Sequence, residues 1–257
     1  MNLFKQLTSS INRPNYKLND NLEQMAKTIY DYWFVQFEFP NANGKPYKSS
    51  GGTMVYNETL KREIPEGWEV KNILEFANLI GGGTPSKNEK SFWNGTIPFF
   101  TPSDANNSIF CIKTLEYITE SGLKNSSTKF FDEGTIFLTA RGSVGKVMIN
   151  SFKMAMNQSC YALQSKTNEH IFLYYTTLSM IGYLHAKSSG SIFNAIVTND
   201  IKFTPVLISK QEIIEKFEKK VSSLFVRLEI NLHQNQELAQ LRDWLLPMLM
   251  NGQVKVE

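Results

Sequence analysis

The sequence predicts the α+β fold class: one mixed α/β domain flanked by a short N-terminal helix and a long C-terminal coiled-coil-like helix. Apolar residues recur at helical spacing near both ends, whereas the middle consists of short β-leaning runs separated by Gly, Pro and Asn. Hydrophobic residues make up 42% of the 257 residues and charged residues 20%, which is typical of an ordered globular protein. We therefore expect a helical segment and loop over 1–57, a central domain over 58–208, and a helical segment over 209–257.

The first helix is expected to begin at Asp20, because Glu23 three residues later can complete a cap. It would carry an apolar face. The residues of that face are Leu22, Met25, Ala26, Ile29 and Trp33. The alternating run 34–39 predicts a strand that ends before Pro40, and the residues 41–52 are rich in loop formers.

The central domain is predicted to be mostly β structure. Apolar runs at 97–100, 134–139 and 146–149 are each bounded by turn formers, so each predicts a short strand. One short helix is expected over 170–184. The stretch 154–160 resembles an interior strand edge, where Asn157 and Gln158 would satisfy backbone groups.

The long C-terminal helix shows a heptad seam, defined as the positions that alternate three and four residues apart from Ile214 onward. Such a seam needs another helix to cover it, so we expect a homodimer; packing on its own domain is the alternative. The two asparagines in the seam would fix register and partner, and Pro247 is expected to end the helix near Leu246. The candidate interface residues of both helices are Leu22, Met25, Ile29, Trp33, Phe217, Val221, Leu224, Leu228, Asn231, Asn235, Leu238, Leu241 and Leu245.

Catalytic motifs are not found in the sequence. The stretch 140–147 lacks the first glycine and the Ser or Thr of a phosphate-binding loop. His170, His185 and His233 have no metal-ligand spacing, so no metal and no cofactor are expected. The pattern predicts a protein that recognises rather than catalyses.

The remaining composition points to a cytoplasmic protein without membrane contact. Cys111 and Cys160 form no motif, which favours a reducing compartment. No apolar run is long enough to span a bilayer, and residues 1–6 lack the apolar core of a signal peptide.

Loops of the central domain combine donors, acceptors and positive charge at 81–90, 101–108 and 139–146. Arg suits guanine edges, Asn suits adenine, and Lys or Ser can hold phosphates, so these loops are candidates for double-stranded DNA. Ordinary solvated loops are the alternative, since a net charge of +3 permits DNA binding without requiring it. The candidate DNA-binding residues are Thr84, Ser86, Lys87, Lys90, Ser103, Asn106, Asn107, Arg141, Ser143 and Lys146.

A series of short motifs in this order resembles one half of a specificity subunit of type I restriction-modification systems. The motifs are Asn21–Ala26, Ile64–Trp68, Gly82–Ser86, Gly142–Gly145, Asn157–Ser159, Gly190–Asn194 and Leu241–Val254. The resemblance implies a target-recognition domain that reads one half of a split DNA sequence. It also implies helices that set the gap and dock methyltransferase subunits, which bring in the restriction subunit indirectly.

Subunits of this family typically carry two target-recognition domains, whereas this sequence carries one. We expect either a natural half-subunit, which would pair with a second copy and read a symmetric split site, or a fragment of a longer subunit. Two other classes stay open. One is a coiled-coil scaffold whose central domain binds protein, and the other is the recognition part of a fused restriction–methylation enzyme.

Overall fold

The computed structural model describes residues 17–187 and 194–251. The chain divides into two compact units, which we call the helical unit and the central unit. The helical unit joins Met1–Ile29 to Val221–Glu257, and the central unit is Tyr30–Lys220. Each of the two flanking helices therefore has residues in both units. The domain boundaries expected at residues 58 and 209 stay a prediction.

Two helices build the described part of the helical unit. Helix α1 covers residues 17–30, so the start expected at Asp20 is wrong, because Asp20 lies inside the helix. Helix α5 is Gln211–Met250. Apolar side chains of both are buried, among them Ala26 of α1 and Phe225 of α5. In addition, Asn231 Nδ2 donates a buried hydrogen bond of 2.9 Å to Asn19 Oδ1, so this asparagine pairs with α1 of its own chain.

The heptad seam is buried within the chain from its start as far as Asn235, except that Leu224 is half-buried. Phe217, Val221 and Leu228 are 0–1% exposed, and Leu22, Trp33, Asn231 and Asn235 are also buried. The expectation that these residues lie uncovered and await a partner helix is therefore wrong. The physical reason is that α1 and the aromatic core described below supply the apolar cover that the sequence pattern required.

The central unit holds two larger sheets. The five-stranded sheet has the order β4-β12-β9-β10-β6 and is antiparallel except for the parallel pair β10–β6. Its strands are β4 (Ala77–Gly81), β6 (Phe110–Cys111), β9 (Ile136–Thr139), β10 (Val147–Asn150) and β12 (Cys160–Ser165). The four-stranded sheet has the order β7-β5-β11-β8, with β11 and β5 parallel. Its strands are β5 (Trp93–Phe100), β7 (Glu116–Ile118), β8 (Phe130–Phe131) and β11 (Met154–Met156).

Two ribbons complete the β structure. Strands β1 (Met54–Asn57) and β2 (Arg62–Pro65) form a hairpin, and β3 (Glu69–Asn72) pairs with β13 (Pro205–Ile208). The strands expected at 97–100, 134–139 and 146–149 correspond to β5, β9 and β10, so these strands are confirmed, although β9 and β10 begin two residues and one residue later than expected.

Side chains from both larger sheets form one apolar core. It contains Phe100 and Met156 of the four-stranded sheet together with Phe137, Met148 and Cys160 of the five-stranded sheet, all at most 1% exposed. A second cluster on β5, β7 and β11 packs with Leu123 of helix α2 (Glu120–Lys124). This packing fixes the strands from whose ends the candidate loops emerge.

Helix α3 (His170–Lys187) contacts strands β9, β10 and β12, and helix α4 (Thr198–Phe203) precedes β13. The helix predicted over 170–184 is therefore confirmed. Glu218 of α5 caps α3 from outside, because its carboxylate accepts hydrogen bonds from Ile171 N at 2.9 Å and Phe172 N at 3.1 Å. A carboxylate at this end also complements the helix dipole.

An aromatic cluster holds the start of the central unit. The Phe34 ring lies 4.9 Å from Phe172, 5.1 Å from Phe217 and 5.8 Å from Trp68 between ring centroids. Asp31–Val35 form a π-helical turn, and Phe37 has a φ of 67°. The strand predicted over 34–39 is therefore wrong. The alternating aromatic residues of this run instead bury their rings in the cluster.

The end of α5 also differs from the sequence prediction. Pro247 lies inside the helix, which continues to Met250. Asn251 N donates to Pro247 O at 3.0 Å, so the turn closes after the proline even though its own nitrogen cannot donate. The motif Gly190–Asn194, apart from its last residue, and the end of Leu241–Val254 lie outside the described residues.

Candidate nucleic-acid interface

The loops selected from the sequence meet in the central unit. Lys146 Nζ donates to Asn107 Oδ1 at 2.5 Å, which joins the loop 139–146 to the loop 101–108. A β-carbon at Gly142 would lie 3.2 Å from Pro102 Cβ, so the backbone of the loop 139–146 also packs against the Pro102 side chain of the loop 101–108. Thr84 in the loop 81–90 donates from its hydroxyl to Gln158 Oε1.

The turn at 157–159 links the remaining pair of loops. Ser159 O accepts from Ala140 N at 2.8 Å and from Arg141 N at 3.1 Å. A β-carbon at Gly82 would collide with the Asn157 carbonyl, so the backbones approach there as closely as glycine allows. The candidate DNA-binding residues therefore belong to one connected loop cluster, although whether they contact DNA stays a prediction.

A cleft of about 400 Å³ opens within this cluster. Of the candidate residues, Thr84, Lys87 and Ser103 line it. The other lining residues are Phe99, Thr101, Pro102, Leu115, Glu116, Asn157 and Gln158. The candidates Ser86, Lys90, Asn106, Asn107, Arg141, Ser143 and Lys146 do not line the cleft.

Positively charged side chains are exposed around the cleft, and one of them already forms an ion pair. Lys87 Nζ lies 3.1 Å from Glu116 Oε1 and 5.1 Å from the centroid of the Trp93 ring. Lys90 and Arg141 have exposed side chains. Exposed ion pairs contribute little, so a phosphate could replace Glu116 as the partner of Lys87 at small cost.

Some candidate polar groups serve the loops themselves. Asn106 Oδ1 accepts from Ser108 N at 2.7 Å, and Ser143 O accepts from the hydroxyl of Thr139. Asp104 joins two segments, because Oδ2 accepts from Thr101 N at 2.7 Å and Oδ1 accepts from Leu115 N at 2.7 Å. These bonds stiffen the cluster before any ligand arrives.

The turn at 157–159 was interpreted only partly correctly from sequence. Asn157 Oδ1 accepts from Ser159 N at 2.9 Å, so its expected role as a backbone partner is confirmed. Gln158 instead exposes its side chain into the cleft, and the interpretation of this residue as a backbone partner is wrong. A polar dipeptide between two apolar strands was the available signal for a turn with a presented side chain.

The thiols do not contribute chemistry at this cluster. Burial raises the pKa of Cys111 and of Cys160 to about 12, with a smaller effect of Asp104 in the same direction. Both thiols therefore stay protonated near neutral pH and are poor nucleophiles. Within 17–187 and 194–251, no group of three or more His, Cys, Asp or Glu side chains is placed to hold a metal ion.

The helical unit presents a second candidate surface. Past Asn235 the apolar residues of α5 are no longer buried: Leu238 is 38% exposed, Leu241 50% and Trp244 60%. On α1, Met25 is 52% exposed and lines, with Ile29, an open groove of about 410 Å³. Of the other candidate interface residues, Leu224 and Leu245 are half-buried. In the part of the chain that the structure describes, no helix is both long and apolar enough to cross a bilayer.

Comparison with known proteins identifies the class. Residues 65–240 match the model of the type I restriction modification DNA specificity domain, so the chain belongs to this family. The resemblance found in the sequence motifs is thereby confirmed.

Curated relatives and solved structures agree with the family. The chain is 30% identical over 246 residues to the type I restriction enzyme MjaIX specificity subunit of Methanocaldococcus jannaschii, covering 94% of this chain and 55% of that protein. It is 26% identical over 290 aligned positions to the HindI specificity subunit of Haemophilus influenzae, covering 93% of this chain and 63% of that protein. The chain thus spans a little over half the length of these relatives.

The fold is shared with a solved structure. The type I restriction-modification system S subunit from M. genitalium aligns with a TM-score of 0.56 at 17% identity, over 95% of this chain and 57% of that chain. The α+β fold with a short N-terminal and a long C-terminal helix is therefore confirmed.

Proposed function

We propose that this chain is a non-catalytic DNA-recognition subunit of a type I restriction-modification complex, in which it reads one half of a split target. The observation that carries the proposal is the meeting of the candidate loops around one cleft, in a chain of the DNA specificity family. No cofactor is part of the proposal, since recognition of a base sequence needs only donors, acceptors and shape.

The loop cluster has the chemistry that a DNA reader requires. Arg141 is exposed between small residues and can pair bidentately with a guanine edge. Gly142 and Gly145 have φ values of 81° and 83°, so the loop follows a path that residues with a side chain rarely adopt. Exposed Lys87, Lys90 and Lys146 supply charge for phosphates.

The helical unit is the proposed docking surface. Methyltransferase subunits would bind the exposed apolar residues Met25, Leu238, Leu241 and Trp244, and a restriction subunit would join through them. A homodimer is proposed as well. Because the seam up to Asn235 is already buried, a second copy would contact α5 beyond this point. Aromatic residues such as Trp244 commonly dominate such interfaces.

Quantitative DNA binding with single variants tests the proposal. We expect Arg141→Ala to lose about 1–3 kcal/mol for the specific site only, as a bidentate base contact would. Lys90→Ala should weaken binding evenly across sequences and reduce the salt slope by about one. Lys48→Ala, an exposed lysine of the loop 41–52, is the matched control and should leave both quantities unchanged.

The competing class, a coiled-coil scaffold that binds protein, gives the opposite result. DNA affinity would then be absent or equal for all variants, and no dependence of log K on log salt would be measured, because no phosphate contacts would release counterions. Either outcome would contradict the proposed function.

A further inference from the structure

Leu115 is an exposed apolar side chain at the cleft of the loop cluster. It is 72% exposed and lines the cleft of the loop cluster, in the segment between β6 and β7. Single exposed leucines are common on protein surfaces and require no explanation. The position of Leu115 does require one, since it exposes an apolar side chain in a cleft whose lining also includes the polar candidate residues Thr84, Lys87 and Ser103.

The backbone holds Leu115 in this position from both sides. Leu115 N donates to Asp104 Oδ1 at 2.7 Å, and the other oxygen of that carboxylate accepts from Thr101 N at 2.7 Å and Thr101 Oγ1 at 2.8 Å. The buried Thr114 hydroxyl donates to Glu116 O at 2.9 Å. Leu115 is therefore presented by a braced loop, so little ordering would be needed when a ligand binds.

Gln158 lines the same cleft from a turn that is equally braced. Asn157 N donates to Phe100 O at 2.9 Å, and Asn157 Oδ1 accepts from Ser159 N at 2.9 Å. The exposed carboxamide of Gln158 bonds to the Thr84 hydroxyl, which a ligand can displace. A carboxamide offers one acceptor oxygen and two donor hydrogens on a nitrogen bonded to the same carbon.

We propose that Leu115 and Gln158 together read one A·T base pair in the major groove. The Gln158 carboxamide would bond to N6 and N7 of adenine, and Leu115 would contact the C5-methyl group of the paired thymine. Among the four bases only thymine presents a methyl group there, and adenine alone pairs N7 with the N6 donor. This inference rests on the proposed function and adds to it two specificity-determining residues and the base pair that they select.

The test first needs the sequence that the full chain prefers. The chain is used to select from a randomised duplex library, and the affinity of the selected duplex is measured. Each thymine is then replaced by deoxyuridine and each adenine by 7-deazaadenine, one position at a time. These replacements leave the protein intact, so folding of a variant does not affect this step.

At one A·T pair we expect both replacements to weaken binding. Loss of the methyl group should cost about fourfold, the value of one buried carbon group. Loss of N7 removes half of a bidentate contact, and Gln158→Ala should cost roughly 5- to 150-fold on the unmodified duplex. In Leu115→Ala the deoxyuridine duplex should bind as well as the thymine duplex, and in Gln158→Ala the 7-deazaadenine effect should disappear.

The controls are Leu178→Ala, an exposed leucine of α3, and Gln36→Ala, an exposed glutamine after the π-helical turn. Both should retain the full sensitivity to the two modified bases. Selection of a sequence in which no thymine methyl matters, or a methyl effect that persists in Leu115→Ala, would overturn the inference while DNA recognition stands. If no sequence is enriched, the proposed function and this inference both fall.

Discussion

Two glutamates have pKa values that burial raises, and one of them caps a helix. Glu218 caps α3, and burial raises its pKa although the hydrogen bonds from Ile171 and Phe172 and the nearby His170 act in the opposite direction. Glu23 lies on α1, where burial raises its pKa from 4.5 to about 6 and Asp20 adds to the shift. The charged forms of both residues are therefore held at a cost.

The residue-scale prediction concerns Glu23. A raised pKa means that its contribution to stability is fully present below pH 4.5 and is lost as the pH rises through about 6. We expect Glu23→Gln, which mimics the protonated acid, to gain stability relative to the native chain over this window. The gain should be no more than about 1 kcal/mol, since the side chain is only partly buried and solvent screens its charge.

Urea unfolding at a series of pH values measures this difference. Glu237→Gln, an exposed glutamate of α5, controls for the loss of one negative charge. A difference between Glu23→Gln and the native chain that stays constant from pH 4 to pH 7 would contradict the prediction.

At the scale of elements, α5 has a buried half and an exposed half. The buried half is closed by α1, whereas Leu238, Leu241 and Trp244 remain uncovered. We expect Leu228→Ala, in the buried half, to lower the free energy of unfolding by about 2–5 kcal/mol. Trp244→Ala should leave stability within about 0.5 kcal/mol and weaken self-association by about 2 kcal/mol or more.

Urea unfolding and light scattering at several concentrations separate the two effects. Replacement of Lys216, which is exposed on the same helix, by alanine should change neither. A native chain that is already monomeric at micromolar concentration would rule out the homodimer, and the exposed half would then be left to other partners.

The sequence predicted those elements whose signal is local. The periodicity of α3 and α5 and the apolar runs of β5, β9 and β10 are carried by neighbouring residues. Which residues cover the apolar face of a helix depends on parts of the chain that are distant in sequence. The hydrogen bond between Asn231 and Asn19 could therefore not be predicted from the heptad pattern of α5. The aromatic run at 34–39 shows the same limit, because alternation is typical of a strand but here serves rings that point into one cluster.

The loops of the candidate site could also be predicted from the sequence, whereas two of the residues that line its cleft could not. Composition alone located loops that meet in the fold, since Gly, Ser, Asn and Lys mark segments that stay at the surface. Leu115 and Gln158 were not predicted as binding residues. An isolated apolar residue between two strands is normally assigned to the core, and only the folded chain shows Leu115 exposed beside the cleft.

At the scale of the whole molecule, we expect activity only in a complex. The chain alone should not methylate DNA. Mixed with a cognate methyltransferase subunit and methyl donor, it should direct adenine methylation to a split sequence. Incorporation of labelled methyl groups into DNA measures both reactions. Methyl transfer by the isolated chain would contradict the non-catalytic assignment.

A variant of α1 locates the docking surface. Met25→Glu should abolish methylation by the complex without changing the circular dichroism of the chain, because Met25 is half exposed and lines an open groove. Gln24→Glu, its polar neighbour along the same groove, should retain activity. Full methylation with Met25→Glu would place docking elsewhere.

The cap that Glu218 provides to α3 has a consequence for exchange of recognition specificity between genes. A crossover that transfers only residues 58–208 would separate the N-terminal end of α3 from the Glu218 carboxylate and split the aromatic cluster that Phe34 and Phe217 complete. A crossover that transfers Tyr30–Lys220 carries all of these contacts together. We therefore expect that transfer of recognition specificity, in nature or by design, requires the longer segment Tyr30–Lys220, whose two junctions lie inside the flanking helices.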